Sequence, residues 1–157
     1  SEKIYVQGEI FPDLNVAMRK ISLTESKSMF SDGVFSKPVN DPVVVYDTMQ
    51  VTSTAYNSTE AQTKKGNIGL AAWGDTLKPG MRALAISRDL IDSGLVHNAK
   101  VYIEGFDEPF FVKDKMNKRW TNKVDLYMGL DIDSARSWGK QQIEIYIPVD
   151  TIQENNN

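Results

Sequence analysis

The segment DKMNKRWTNKVD, residues 114 to 125, sets two aspartates eleven residues apart with cations, amides and one tryptophan between them. On its left, PFFV (109–112) is a strand-like apolar run after a Gly/Asp/Pro turn, and on its right VDLYM (124–128) is another. Asp114 and Asp125 are therefore expected at the mouths of neighbouring strands, where a loop can turn them towards one another. Two carboxyl groups held close do not both ionise easily, so the first proton leaves readily and the second is retained. A retained proton can be delivered to a leaving oxygen, which makes the pair a candidate general acid/base. Lys115, Lys118, Arg119 and Lys123 oppose that role if they face the acids and suit it if they face a negative substrate. Trp120 offers an apolar face of the kind sugars stack on. The same residues also fit a solvated β-hairpin loop with a salt bridge or two, and spacing alone does not choose.

Other chemistries find fewer residues. The chain has no cysteine and a single histidine, His97. Disulfides and thiolate catalysis are thereby excluded, and a zinc site of the usual ligand types is disfavoured. His97 lies in the polar turn GLVHNAK, where an exposed loop histidine is expected, and a Ser-His-Asp relay has little support. The glycine-containing segments GNIGLAAWGD and KPGM lack the spacing of a phosphate-cradling loop. No metal and no cofactor is expected.

The elements that must position the acids read as strands. VVVYDTMQVTSTAY (43–56) is β-branched and aromatic almost throughout. MRALAIS (81–87), KVYIEG (100–105), PFFVKD (109–114), VDLYM (124–128) and QIEIYIP (142–148) follow, and IYVQGEIF (4–11) has the same character. RDLID (88–92) reads as a short helical turn, and DSARSWG (133–139) as one short helix closed by Gly139. The region from Asn15 to Pro42 is ambiguous, with SDGVFSKPVNDP (31–42) a loop, and NSTEAQTKKGN (57–67) reads as a long surface loop. Six or seven short strands with almost no helix point to a small β-barrel or sandwich.

At 157 residues and 17.7 kDa the chain fits one domain with a substantial core. A formal charge of -3 gives no global attraction to nucleic acid or an anionic membrane. No apolar run approaches a transmembrane segment, and the start SEKIYVQGEI has no signal-peptide core, so any export signal is expected to have been removed.

The order of VTSTAYNS (51–58), NIGLAAWGDTLKPGMRALAISRDL (67–90), KVYIEG, FFVKDKMNKRWTNKVDLYMG (110–129) and ARSWGK (135–140) resembles the three-aspartate (3D) domain family. Relatives of that family include the catalytic domain of membrane-bound lytic transglycosylase A, the stationary-phase-survival muralytic proteins and, more distantly, expansin-type domains. The resemblance spans residues 43 to 148. It implies an all-β fold, a six-stranded double-psi β-barrel with short helical turns. The organisation expected is an N-terminal extension over 1–42, the barrel over 43–150 and a frayed tail over 151–157.

The family pattern runs T-A-Y, then A-V-D, K-V-Y-I-E-G and D-T-G-G-A-I-K-G-N-R-I-D. Asp114 falls on the first acid of the last motif and Asp125 on its final acid, the position that resembles the general acid/base. Asp131 or Asp133 matches a later acid of some members. Ser87 stands where A-V-D has its aspartate, with Asp89 two residues on, and KMNKRWT replaces the glycine-rich T-G-G-A-I-K-G. The resemblance implies cleavage of the peptidoglycan strand between N-acetylmuramic acid and N-acetylglucosamine, leaving a 1,6-anhydro end, in the cell envelope. Asp125 would be the acid/base and Asp114 its partner. Thr54, Tyr56, Lys115, Arg119 and Trp120 would contact the glycan, the cations also suiting muramyl carboxylates and peptide stems. A catalytically silent, expansin-like glycan-binding barrel, or a structural module of an envelope or phage-derived assembly, is the alternative.

Overall fold

A computed structural model describes residues 2–7, 43–57 and 71–152. The region from 15 to 42 and, beyond Asn57, the loop 57–67 lie outside them. Seven strands form one sheet: β1 (Glu2–Gln7), β2 (Val43–Tyr56), β3 (Ala83–Ile86), β4 (Lys100–Ile103), β5 (Phe110–Lys115), β6 (Lys123–Tyr127) and β7 (Gln141–Ile152). A 3₁₀ turn, η1 (Arg88–Ser93), follows β3, and a short helix, α1 (Ile132–Trp138), precedes β7. The fold is all-β, as the strand-rich pattern implies.

The sheet runs β1-β2-β6-β3-β5-β4-β7, and β2 also pairs with β7. Six strands therefore close into a hydrogen-bonded ring, with β1 added outside it. The long β2 makes this possible. One edge pairs with β7 from Val43↔Ile152 to Ser53↔Gln141. The other edge is shared: its first half takes β1 antiparallel and its last five residues take β6 parallel, Thr52↔Lys123 to Tyr56↔Tyr127. A second parallel pair joins β3 to β5, and parallel pairs require long crossovers rather than hairpins. β1 belongs to this sheet, and β7 continues through Ile152.

Alternation sorts the side chains. Val51, Leu84, Ile86, Val101, Ile103, Phe110, Val112, Val124, Leu126, Ile145 and Ile147 converge in one buried cluster inside the ring. Residues an odd number of positions from them along the same strand, including Thr54, Ala85 and Asp125, consequently point to the opposite face of the sheet. Ile4, Val6, Tyr46, Tyr102 and Tyr146 form a second cluster, to which β1 contributes Ile4 and Val6. Trp138 of α1 donates its indole N–H to the fully buried Ser53 hydroxyl at 2.7 Å, which fastens the helix to β2.

Asp114 and Asp125 do not lie on neighbouring strands. β3 is inserted between β5 and β6, so the segment joining them is not a β-hairpin. Non-local pairing decided this: β3 is too far away in sequence for the 114–125 stretch to reveal it.

Candidate functional site

Ala85 of β3 pairs with Asp125 of β6 on one side and with Asp114 of β5 on the other. The two acids thus flank one small side chain, their Cα atoms about 10 Å apart across two strand spacings. Both lie on the outer face of the ring, Asp114 next to the end of β5. Asp125 reaches that face by simple alternation, since Val124 and Leu126 point into the core. Asp114 reaches it through a register shift: Leu84 pairs with Val112 but Ala85 pairs with Asp114, leaving Lys113 as an extra residue. Without that residue, alternation from Phe110 and Val112 would aim Asp114 inward. Bulges of this kind re-aim a side chain.

Each acid is held by groups from other elements. Thr54, paired with Asp125 in the β2–β6 register, donates its hydroxyl to Asp125 Oδ1 at 3.0 Å. Asp114 Oδ1 accepts the Ala72 N–H at 2.7 Å and the Lys115 N–H at 2.9 Å. Tyr56 packs with Tyr127, ring centroids 5.4 Å apart, in a cluster with Ala71, Leu77 and Ala83. Its hydroxyl is buried with no hydrogen-bond partner among the described residues. Burial, then the charges of Asp114 and Asp125, push this phenol far above its ordinary range, so it keeps its proton. The neutral Tyr56 hydroxyl is thus a donor set in the field of both carboxylates.

The other residues singled out in the sequence occupy distinct places. Ser87 is fully buried at the N-cap of η1, and its Oγ accepts the Lys123 N–H at 2.9 Å. Asp89 accepts the N–H of Asn122, a residue in the left-handed region at φ 49°. Burial raises the Asp89 carboxyl, but the hydrogen bonds from Ser87, Asn122 and its own backbone outweigh that and leave it lowered. Ser87 and Asp89 together pin the start of β6. Asp131 caps α1, accepting the Ser134 N–H and hydroxyl, which lower its carboxyl. Asp133 sits exposed in the first turn of that helix. Lys115 places its ammonium 5.1 Å from the centre of the Trp73 ring. Trp120 carries Lys123 Nζ at 3.8 Å and the Arg119 guanidinium carbon at 4.9 Å, so its ring is engaged by cations.

A second group near Asp114 joins His97 to Trp73 and Asp75, two residues not singled out from the sequence. Trp73 stacks on His97 at 5.0 Å and 19°, and His97 Nε2 hydrogen-bonds Asp75. Asp75 also lies 3.6 Å from Lys113 Nζ, and its carboxyl is lowered chiefly by the His97 bond. His97 is therefore half-buried and braced, not the exposed loop histidine its polar turn suggests. Its partner stands 22 residues away, beyond any local pattern. The GLAAWGD run was the available signal, because Ala72, Trp73 and Asp75 all come from it. Among the described residues no cluster of three or more His, Cys, Asp or Glu side chains could hold a metal, and no helix is long and apolar enough to cross a membrane.

A family model described as the ThiC-associated domain matches residues 1–72. That range includes β1 and β2 and ends before Trp73, Asp114 and Asp125. Two solved structures of an expansin from Clavibacter michiganensis are similar to the chain, one a mutant in complex with cellohexaose and one apo. They share 16% and 17% identity, each with a TM-score of 0.40 over 66% of this chain. The chain spans about half, 51%, of the length of those expansin chains.

Proposed function

We propose that this chain is a double-psi β-barrel of the three-aspartate kind that engages peptidoglycan glycan strands in the cell envelope, on the face of the sheet that carries Asp114 and Asp125. One observation carries the reading: two carboxylates from different strands flank the small Ala85, with the Thr54 hydroxyl on Asp125 and the neutral Tyr56 hydroxyl in the field of both. Carboxylates and hydroxyls on a shared face are the groups that hydrogen-bond sugar hydroxyls. The order of the TAY, KVYIEG and DKMNKRWTNKVD segments adds the resemblance to glycan-strand-cleaving relatives.

A second reading makes the site catalytic, and the Thr54–Asp125 hydrogen bond favours it by fixing the orientation of the acid. In its protonated form Asp125 gives its proton to the glycosidic oxygen as the C1–O bond of the muramyl residue breaks. The resulting carboxylate takes the proton of that sugar's own C6 hydroxyl, whose oxygen bonds to C1, and the acid is restored. This lytic transglycosylase step needs one carboxyl group and no placed water, unlike the two-carboxylate hydrolases.

Purified sacculi incubated with wild type and with Asp125→Asn, read by mass spectrometry and by pull-down, separate the readings. Capture of sacculi by both proteins with no released sugar is the outcome for binding alone. Anhydro-muropeptides from wild type only would add cleavage through Asp125. Failure of wild type to bind or cut sacculi sinks both.

A further inference from the structure

The cations of the 115–123 stretch are mounted rather than scattered. Lys123 opens β6 and lies one same-face step before Asp125, about 7 Å along the strand. Its backbone is tied in both directions to Ser87, whose N–H donates to the Lys123 carbonyl at 2.8 Å and whose hydroxyl accepts the Lys123 N–H. Its ammonium rests 3.8 Å from the Trp120 ring centre, beside the Arg119 guanidinium on the same indole. The turn carrying Arg119 and Trp120 is closed by Asn117, which accepts the Arg119 N–H on its side chain and the Trp120 N–H on its carbonyl. Among the described residues, Lys115, Lys118, Arg119 and Lys123 enter no ion pair. The nearby acids are otherwise engaged, Asp89 on Asn122 and Asp114 on Ala72 and Lys115.

We propose that Arg119 and Lys123, seated on Trp120 beside Asp125, form an anion subsite that selects a carboxylate-bearing glycan over a neutral one. This rests on the glycan-engaging role given above. An aromatic face holds a cation in place without neutralising it, and a guanidinium offers a carboxylate two parallel N–H donors. The spacing suits a substituent projecting from the sugar ring that lies against Asp125. Trp120, which as a bare ring would favour neutral sugars, instead serves as the mount for two charges.

The test compares three probes by equilibrium binding: glycan strands stripped of stem peptides with free lactyl carboxylates, the same strands methyl-esterified, and a neutral chito-oligosaccharide. Wild type is expected to prefer the free-carboxylate strands by about tenfold or more, the worth of one charge-assisted hydrogen bond. Arg119→Gln and Lys123→Gln should each reduce the ratio of free-carboxylate to esterified-strand affinity, and Lys100→Gln, exposed on β4 across the ring from β6, should keep it. Equal binding of free and esterified strands by wild type overturns the subsite while glycan engagement stands. So does a preference that survives in both Arg119→Gln and Lys123→Gln, or one that Lys100→Gln lowers equally. Displacement of the strands by dextran sulfate as readily as by free-carboxylate strands marks a general polyanion surface and also overturns it. No binding to any of the three probes by wild type removes the glycan role itself.

Discussion

Asp114, Asp125 and Tyr56 owe their juxtaposition to strand register. Asp125 meets Thr54 because β2 and β6 are parallel and in step, while Asp114 meets the same face because one extra residue, Lys113, turns it outward. The Tyr56 hydroxyl is the anomaly: buried, unpaired among the described residues and held neutral by its surroundings. An unsatisfied buried hydroxyl costs about 1–3 kcal/mol, so Tyr56→Phe is expected to raise stability by about 1 kcal/mol. Urea unfolding checks it, as a higher midpoint at unchanged slope. Capture of sacculi is expected to weaken in the same variant, a stability gain paired with a functional loss. The aspartates and the TAY tyrosine were legible as candidates from their types and order. That the acids share an outer face, with Ala85 between them, was not, because alternation read along PFFVKD puts Asp114 on the inward side with Phe110 and Val112.

At the scale of elements, short polar pins decide where the loops go. Ser87 stands where the resemblance has an acid, with Asp89 two residues on, yet their side chains hold the backbone of Asn122 and Lys123 and so set the start of β6. Asp131 does comparable work for α1, the helix that delivers Trp138 to Ser53. Hydrogen bonds from Ser134 lower the Asp131 carboxyl. A lowered folded-state value means its stabilisation is present above the ordinary carboxylate pKa and disappears as pH falls through the lowered one. Asp131→Ala is therefore expected to melt below wild type at neutral pH, with the gap closing below roughly pH 4. Thermal melts of the two proteins across that range check it, and a gap independent of pH would point to lost packing instead. The sequence signals were sound for these elements: β2 spans 43–56 as its β-branched run implies, η1 covers the RDLID turn, and α1 ends at Gly139.

Across the whole molecule, closure of the ring is what makes the core. Every strand of the ring contributes to one buried cluster, and Leu126 sits within it at zero exposure, while its neighbours Asp125 and Tyr127 lie on the opposite face of β6, Tyr127 buried there against Ala71, Leu77 and Ala83. Leu126→Ala is expected to lose about 2–5 kcal/mol of unfolding free energy, measured by urea titration. Because the ring closes through β2–β7, that loss should appear by fluorescence and by far-UV circular dichroism at one midpoint. Separate transitions would mean that the β1–β2–β7 ribbon unfolds apart from the rest.

The sequence by itself determined the strand-rich class, the strand positions and the residue types that could do acid/base or glycan chemistry. These are local properties, set by alternation, β-branching and turn residues within a few positions of one another. Tertiary structure alone decided that β3 lies between β5 and β6, that a bulge turns Asp114 outward, that His97 braces Trp73 through Asp75, and that Trp120 carries cations rather than a bare face. Each of those depends on which distant segments hydrogen-bond, and in what register. A single-residue slip there exchanges core for surface without altering the local pattern.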